Sequence, residues 1–182
     1  MKIKYNFLHI PKTAGSTFRM NVLANKSKDV VFDGINHETI YNSEHRNITF
    51  IRHPIARTIS HYNEVRNNTK EDLSFEQWFG YRYYNFQTKW LLAKVLNTTQ
   101  LDEYTFEKLK KALKTFYFVG LTEHLDSELN RLLQRMGLKR LHKNTNVASK
   151  RYIPTERDKA LILNNCDYDL QLYDFLDNQK IN

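Results

Sequence analysis

Cysteine is all but missing from this chain: Cys166 is the single one in 182 residues. No internal disulfide can form, which fits a reducing compartment and predicts a cytoplasmic protein. Proline and glycine are scarce too, at three and five residues. No Pro/Gly/Ser-rich linker, internal repeat or low-complexity tract divides the sequence, so we expect one domain over residues 1–182. No apolar run approaches the roughly 18 residues of a membrane span. The opening "MKIKYNFLHI" lacks the layout of a signal peptide and reads as a strand that begins almost at once. Four N-x-[ST] patterns, at Asn25, Asn47, Asn67 and Asn97, carry no meaning in a cytosolic chain.

What is present is a globular composition, 41% hydrophobic and 13% aromatic, which excludes a disordered chain. The net charge is +8. Such an excess suits an anionic partner, whether nucleic acid, an acidic glycan, a phosphorylated small molecule or a membrane surface.

Short apolar strands alternate with helical spacings. Strands are expected at 5–10, 29–32, 47–53 and 116–121. A helix is expected from Ser16, with Phe18 and Val22 on one face. Pro54 suits a first helical position and precedes an Ile55, Ile59, Tyr62 stripe. Phe106, Leu109, Leu113 and Phe116 mark another helix, and Leu125, Leu129, Leu132, Leu133 and Met136 mark the clearest stripe, closed by Gly137. Thr155 with Asp158 reads as a helix start, and "YDLQLYDFL" as a last helix. This alternation predicts an α/β fold of three layers: a central parallel sheet, P-loop-like, with helices on both faces.

Against so few glycines, "FLHIPKTAGSTF" (7–18) stands out. A strand turning through small residues into a helix gathers free backbone N–H groups and the positive end of the helix dipole at one corner. Ala14 and Gly15 let an anion approach the backbone; Thr13, Ser16 and Thr17 add hydroxyls; Lys12 adds a full charge. The nucleotide-triphosphate loop G-x-x-x-x-G-K-[ST] does not match, because here the lysine precedes the glycine. No carboxylate ends the strand "NITFIRH", so a phosphate site without metal fits better than an ATP·Mg²⁺ site. In "FIRHPIARTISHY", Arg52 ends that strand and Ser60 lies about two helical turns on. An arginine there points into the crevice where α/β folds bind ligands, and with Ser60 it can grip a second phosphate.

"HIPKTAGST" followed by "IRHPIARTISHY" resembles the sulfotransferases that use 3′-phosphoadenosine 5′-phosphosulfate (PAPS). The resemblance is closest to the heparan and uronyl 2-O-sulfotransferase branch, and extends through "NFQTKWL", "YFVGLTEHLDSELNRLL" and "LYDFL". It suggests a short soluble bacterial or viral member. It implies that Lys12, Thr13, Ala14, Gly15, Ser16 and Thr17 hold the 5′-phosphosulfate, while Arg52 and Ser60 hold the 3′-phosphate. Lys12 would also neutralise charge on the leaving phosphate. The implied donor is PAPS, with product 3′-phosphoadenosine 5′-phosphate (PAP) and no metal; the implied acceptor is a hydroxyl, on a carbohydrate by analogy. Many members carry Arg-Asp-Pro where this chain has Arg52-His53-Pro54.

A general base must take the acceptor's proton. The chain offers His9, His37, His45, His53, His61, His124 and His142. His37, in "DGINHETIY", is where related glycan enzymes place a catalytic histidine, and it is favoured over its neighbour Glu38. His9 is expected to support the loop, and His61 and His124 to pack or face solvent. Lys150 and Arg151, in the basic stretch 138–155, could reach the 3′-phosphate or an acidic acceptor, or form a solvated loop. The aromatics of "FEQWF" and "YRYYNFQTKW" could stack on adenine or a sugar, or be core. Two other classes compete: a metal-dependent P-loop kinase of small molecules, and a non-catalytic basic module for phospho-ligands or nucleic acid.

Overall fold

The computed structural model describes residues 3–69, 73–141 and 151–179; His142 and Lys150 lie outside them. Four strands, β1 (Lys4–Phe7), β2 (Val31–Gly34), β3 (Arg46–Ile51) and β4 (Phe118–Leu121), form one parallel sheet in the order β2-β1-β3-β4. Among the described residues, eight α-helices surround it: α1 (Gly15–Asn25), α2 (Pro54–Asn68), α3 (Phe75–Trp78), α4 (Phe86–Val95), α5 (Glu103–Leu113), α6 (Leu125–Arg135), α7 (Glu156–Asn165) and α8 (Asp167–Asn178). The expected α/β layering is therefore what the chain adopts.

Alternation along the strands builds the layers. Tyr5, Phe7, Ile48, Phe50 and Phe118 face Phe18 of α1 and the leucine stripe of α6. Ile51 and Leu121 point the other way, toward Leu91 and Leu92 of α4, Phe106 and Leu109 of α5, and Leu172 of α8. A third cluster joins Tyr62 of α2, Phe75 and Trp78 of α3, and Ile162 of α7. The aromatic tract 75–84 thus supplies core, with Phe75, Trp78, Phe79 and Tyr83 all buried.

Several boundaries differ from expectation for local reasons. Ladder pairing of β1 ends at Phe7, although Leu8, His9 and Ile10 stay buried and the Leu8 N–H still donates to Ile48 O at 2.8 Å. Strand β2 begins two residues later than 29, and α5 begins at Glu103 because Asp102 and Thr105 form a capping box. The box expected at Thr155 and Asp158 is present.

The strand order places the site. The chain leaves β1 toward β2 on one side, and β3 leads to β4 on the other. The carboxyl ends of β1 and β3 therefore flank the reversal point, where open α/β sheets form their ligand crevice. Residues 8–14 follow β1 and residues 52–53 follow β3, so both sequence motifs meet there.

Candidate active site

The loop after β1 is bent by two non-glycine residues in the left-handed region, Lys12 at φ 71° and Ala14 at φ 64°. Such conformations are uncommon outside glycine and gather at functional sites. Ala14 is the N-cap of α1 and makes no side-chain capping bond. The first turn thus begins without the side-chain oxygen that usually satisfies its N–H groups. Thr13, fully buried, donates its hydroxyl to Ile10 O at 2.8 Å and so braces the turn. Thr17 is buried and Ser16 exposed.

Two arginines hold the loop from α2 and its approach. Arg52 Nη1 donates to Lys12 O at 3.2 Å, and Arg57 Nε donates to Pro11 O at 3.4 Å. Arg57 is only 1% exposed, with its guanidinium over the Phe86 ring at 3.8 Å. Burial lowers its pKa to about 10, against the opposing charge of Asp169. Its Nη2 lies 3.3 Å from His61 Nδ1, and burial together with Arg57 pushes His61 down to about 4. His61 is therefore a neutral packing residue, as expected.

The Arg52 backbone is fixed from α4. Gln87, fully buried, accepts the Arg52 N–H on Oε1 at 3.0 Å and donates Nε2 to Arg52 O at 2.7 Å. The start of α4 is in turn gripped by Asp169 of α8, which accepts the Gln87 N–H, the Thr88 N–H and the Thr88 hydroxyl. His53 donates its backbone N–H to Glu123 at 3.0 Å and packs edge-on to Tyr173.

Lys12, Arg52 and Ser60 line one cleft of about 870 Å³ with Asn63, Glu64, Arg151, Tyr152 and Lys159. Among its described lining residues, Glu64 is the one carboxylate; it takes a hydrogen bond from Lys12 Nζ at 2.9 Å. Burial pulls the Arg52 guanidinium below the usual arginine value; Glu123 opposes the shift and Arg151 adds to it. The cleft is thus a concave, cation-rich surface suited to an anion of nucleotide size. Tyr152 ties the segment carrying Arg151 to α2 and α3: its N–H donates to Asn63 Oδ1 at 2.7 Å, and its ring stacks on Phe75.

His37 is placed apart from this cleft. Its Nδ1 lies 2.8 Å from His9 O, and its ring stacks on the His9 ring with centroids 4.0 Å apart. A carbonyl only accepts, so Nδ1 carries a proton, and in the neutral ring it is Nε2 that presents the lone pair. His9 lies against Gly15 so closely that a Cβ there would overlap its ring. Burial, then the positive charges of Arg19 and Lys12, and of His37 whenever that ring is protonated, push His9 down to about 3, so it is a neutral spacer between His37 and the loop. The Glu38 side chain is 89% exposed, with Lys94 Nζ 4.0 Å away. Among the residues expected to form the site, Lys12, Arg52 and Ser60 share the cleft; Thr13 to Thr17 form the turn beside it, and His37 reaches that turn through His9. Three contributors carried no sequence signal of their own: Arg57, Gln87 and Glu64.

An uncapped turn after β1 and an arginine after β3, both at the reversal point of a parallel sheet, belong to a P-loop-like α/β fold. The chain matches the profile of the Sulfotransferase family over residues 2–165, and it belongs to that family. No curated protein matches it. Membership makes it an enzyme of sulfuryl transfer, in a family that generally draws on PAPS. Among the described residues, no helix is long and apolar enough to cross a membrane.

Proposed function

We propose that the protein transfers the sulfuryl group of PAPS to a hydroxyl acceptor, a carbohydrate by family analogy. One observation carries the reading: Lys12, Arg52 and Ser60 converge on a single cation-rich cleft at the carboxyl ends of β1 and β3. Its donor set fits a ligand with two separated anionic groups. The turn at 13–17, with Lys12, takes the 5′-phosphosulfate; Arg52 and Ser60, joined by Arg151, take the 3′-phosphate.

PAPS supplies an activated sulfuryl group whose bond to the 5′-phosphate oxygen breaks as the acceptor oxygen bonds to sulfur. Lys12 neutralises the charge released on that phosphate, and the left-handed turn holds its amides fixed, so little reorganisation is needed as charge develops. His37 accepts the acceptor's proton at Nε2, while the His9 carbonyl holds the ring in that tautomer. His37 is favoured over Glu38 because its ring is anchored, whereas the Glu38 carboxylate extends into solvent.

The test is calorimetric titration with PAP, without metal, beside AMP and ATP·Mg²⁺. PAP is expected to bind preferentially, and Arg52→Ala to abolish that preference. A preference for ATP·Mg²⁺, or no nucleotide binding, would overturn the reading.

A further inference from the structure

The Lys12–Glu64 pair joins residues 52 apart in sequence, and the lysine it engages is the one assigned to the leaving phosphate. Glu64 lies one helical turn beyond Ser60, on the α2 face that lines the cleft. It places a negative charge where an anionic ligand must bind. A structural ion pair would be expected to hold two elements together in the core. This pair does not: the side chains are 23% and 46% exposed, and α2 is already joined to the loop by the Arg57–Pro11 bond. An exposed pair of this kind contributes little to stability. Its consequence falls on the ligand, which meets a lysine already engaged by an internal carboxylate.

We propose that Glu64 sets nucleotide affinity by competing for Lys12. It neutralises the lysine while the cleft is empty and yields it to the 5′-phosphate of the incoming donor. The same competition weakens the hold on the spent nucleotide after transfer, which favours release. The proposal rests on the donor assignment above. It is directed at the 5′ end, because Glu64 bonds Lys12 and, among the described residues, makes no hydrogen bond to Arg52.

The experiment compares wild type with Glu64→Gln, which keeps the side chain's size and removes its charge. Binding of PAP, 5′-AMP and 3′-AMP is measured by calorimetry at low and high salt. Removing a charge of the ligand's own sign from beside the binding lysine is expected to tighten PAP and 5′-AMP about tenfold at low salt, with a smaller gain at high salt. The affinity for 3′-AMP should change far less. In parallel, the ¹³C resonance of the reductively methylated Lys12 amine reports the pair without any nucleotide. It should differ between the two proteins, and PAP should move the wild-type signal. Unchanged or weaker PAP binding in Glu64→Gln, or an equal gain for 3′-AMP, overturns the role of Glu64. Absence of PAP binding by both proteins overturns the donor assignment itself, a distinct result.

Discussion

Gln87 clasps the backbone of Arg52 from both sides, accepting its N–H and donating to its carbonyl. An amide does this because it carries one acceptor and one donor group on a planar end. The residue proposed to read the 3′-phosphate is thereby fixed by a helix 35 residues further along the chain.

Gln87→Met should therefore affect ligand selectivity as well as stability. Two backbone polar groups lose their partner in a site closed to water on the α4 side. The cost should be about 2 kcal/mol, read by urea denaturation. PAP affinity should fall while AMP affinity holds, so the ratio of the two is the informative quantity. A variant that loses stability but keeps the full PAP preference would show that Gln87 supports the fold and not the position of Arg52.

Gly15 has a different reason to be glycine. Its backbone is helical, yet a Cβ would enter the space of the His9 ring. Gly15→Ala should shift His9 and, through the stacked pair, His37. We expect a loss of about 1–3 kcal/mol, the usual effect of overpacking, with reduced nucleotide binding. Restored stability in Gly15→Ala/His9→Ala would assign the loss to this contact; a tolerated Gly15→Ala would remove it.

Acid should weaken the fold through one buried ring and one half-buried one. His9 and His61 fall from the ordinary 6.5 to about 3 and about 4, chiefly by burial. The unfolded chain takes up protons on both near pH 6.5, whereas the folded chain refuses them until far lower. Their contribution is complete above pH 6.5 and declines as pH falls toward 4, by an order of several kcal/mol in all. Denaturation at pH 7.5 and 5 measures the loss. The ring C–H resonances of both histidines should stay flat to pH 5 in the folded protein; titration near 6.5 would contradict it.

How much of this was legible in the sequence depended on how local each cause was. The turn at Lys12–Thr17, Pro54 at the start of α2, the Thr155–Asp158 box and the α6 stripe have their determinants within a few residues, and each was readable. Helix α4 was not. Its N-cap Asn85 sits at φ 48° with no side-chain cap of its own, and the cap comes from Asp169, more than 80 residues away. Arg57 and Glu64 looked like ordinary polar positions of one helix. Only the loop folded against them turns one into a buried anchor and the other into the counter-charge of Lys12. The aromatic tract 75–84 was ambiguous because stacking platforms and cores use the same residues. Packing against Tyr62 and Ile162 resolves Phe75, Trp78, Phe79 and Tyr83 as core, while Tyr81 faces solvent.

The choice of general base provides the last prediction. With Nδ1 committed to the His9 carbonyl, His37 has one ring nitrogen left for chemistry, whereas Glu38 faces solvent. His37→Gln should lower kcat by about 10²–10⁴, the usual contribution of a positioned base, with little change in the KM for PAPS. Glu38→Gln should stay within a few fold of wild type. The assay follows labelled sulfate from PAPS onto a panel of hydroxyl acceptors, with PAP calorimetry in parallel. The calorimetry separates the two functions: His37→Gln should bind PAP as wild type does, because His37 does not line the cleft proposed to hold the nucleotide. If Glu38→Gln loses activity and His37→Gln does not, the proton passes to the carboxylate and the anchored ring is merely structural.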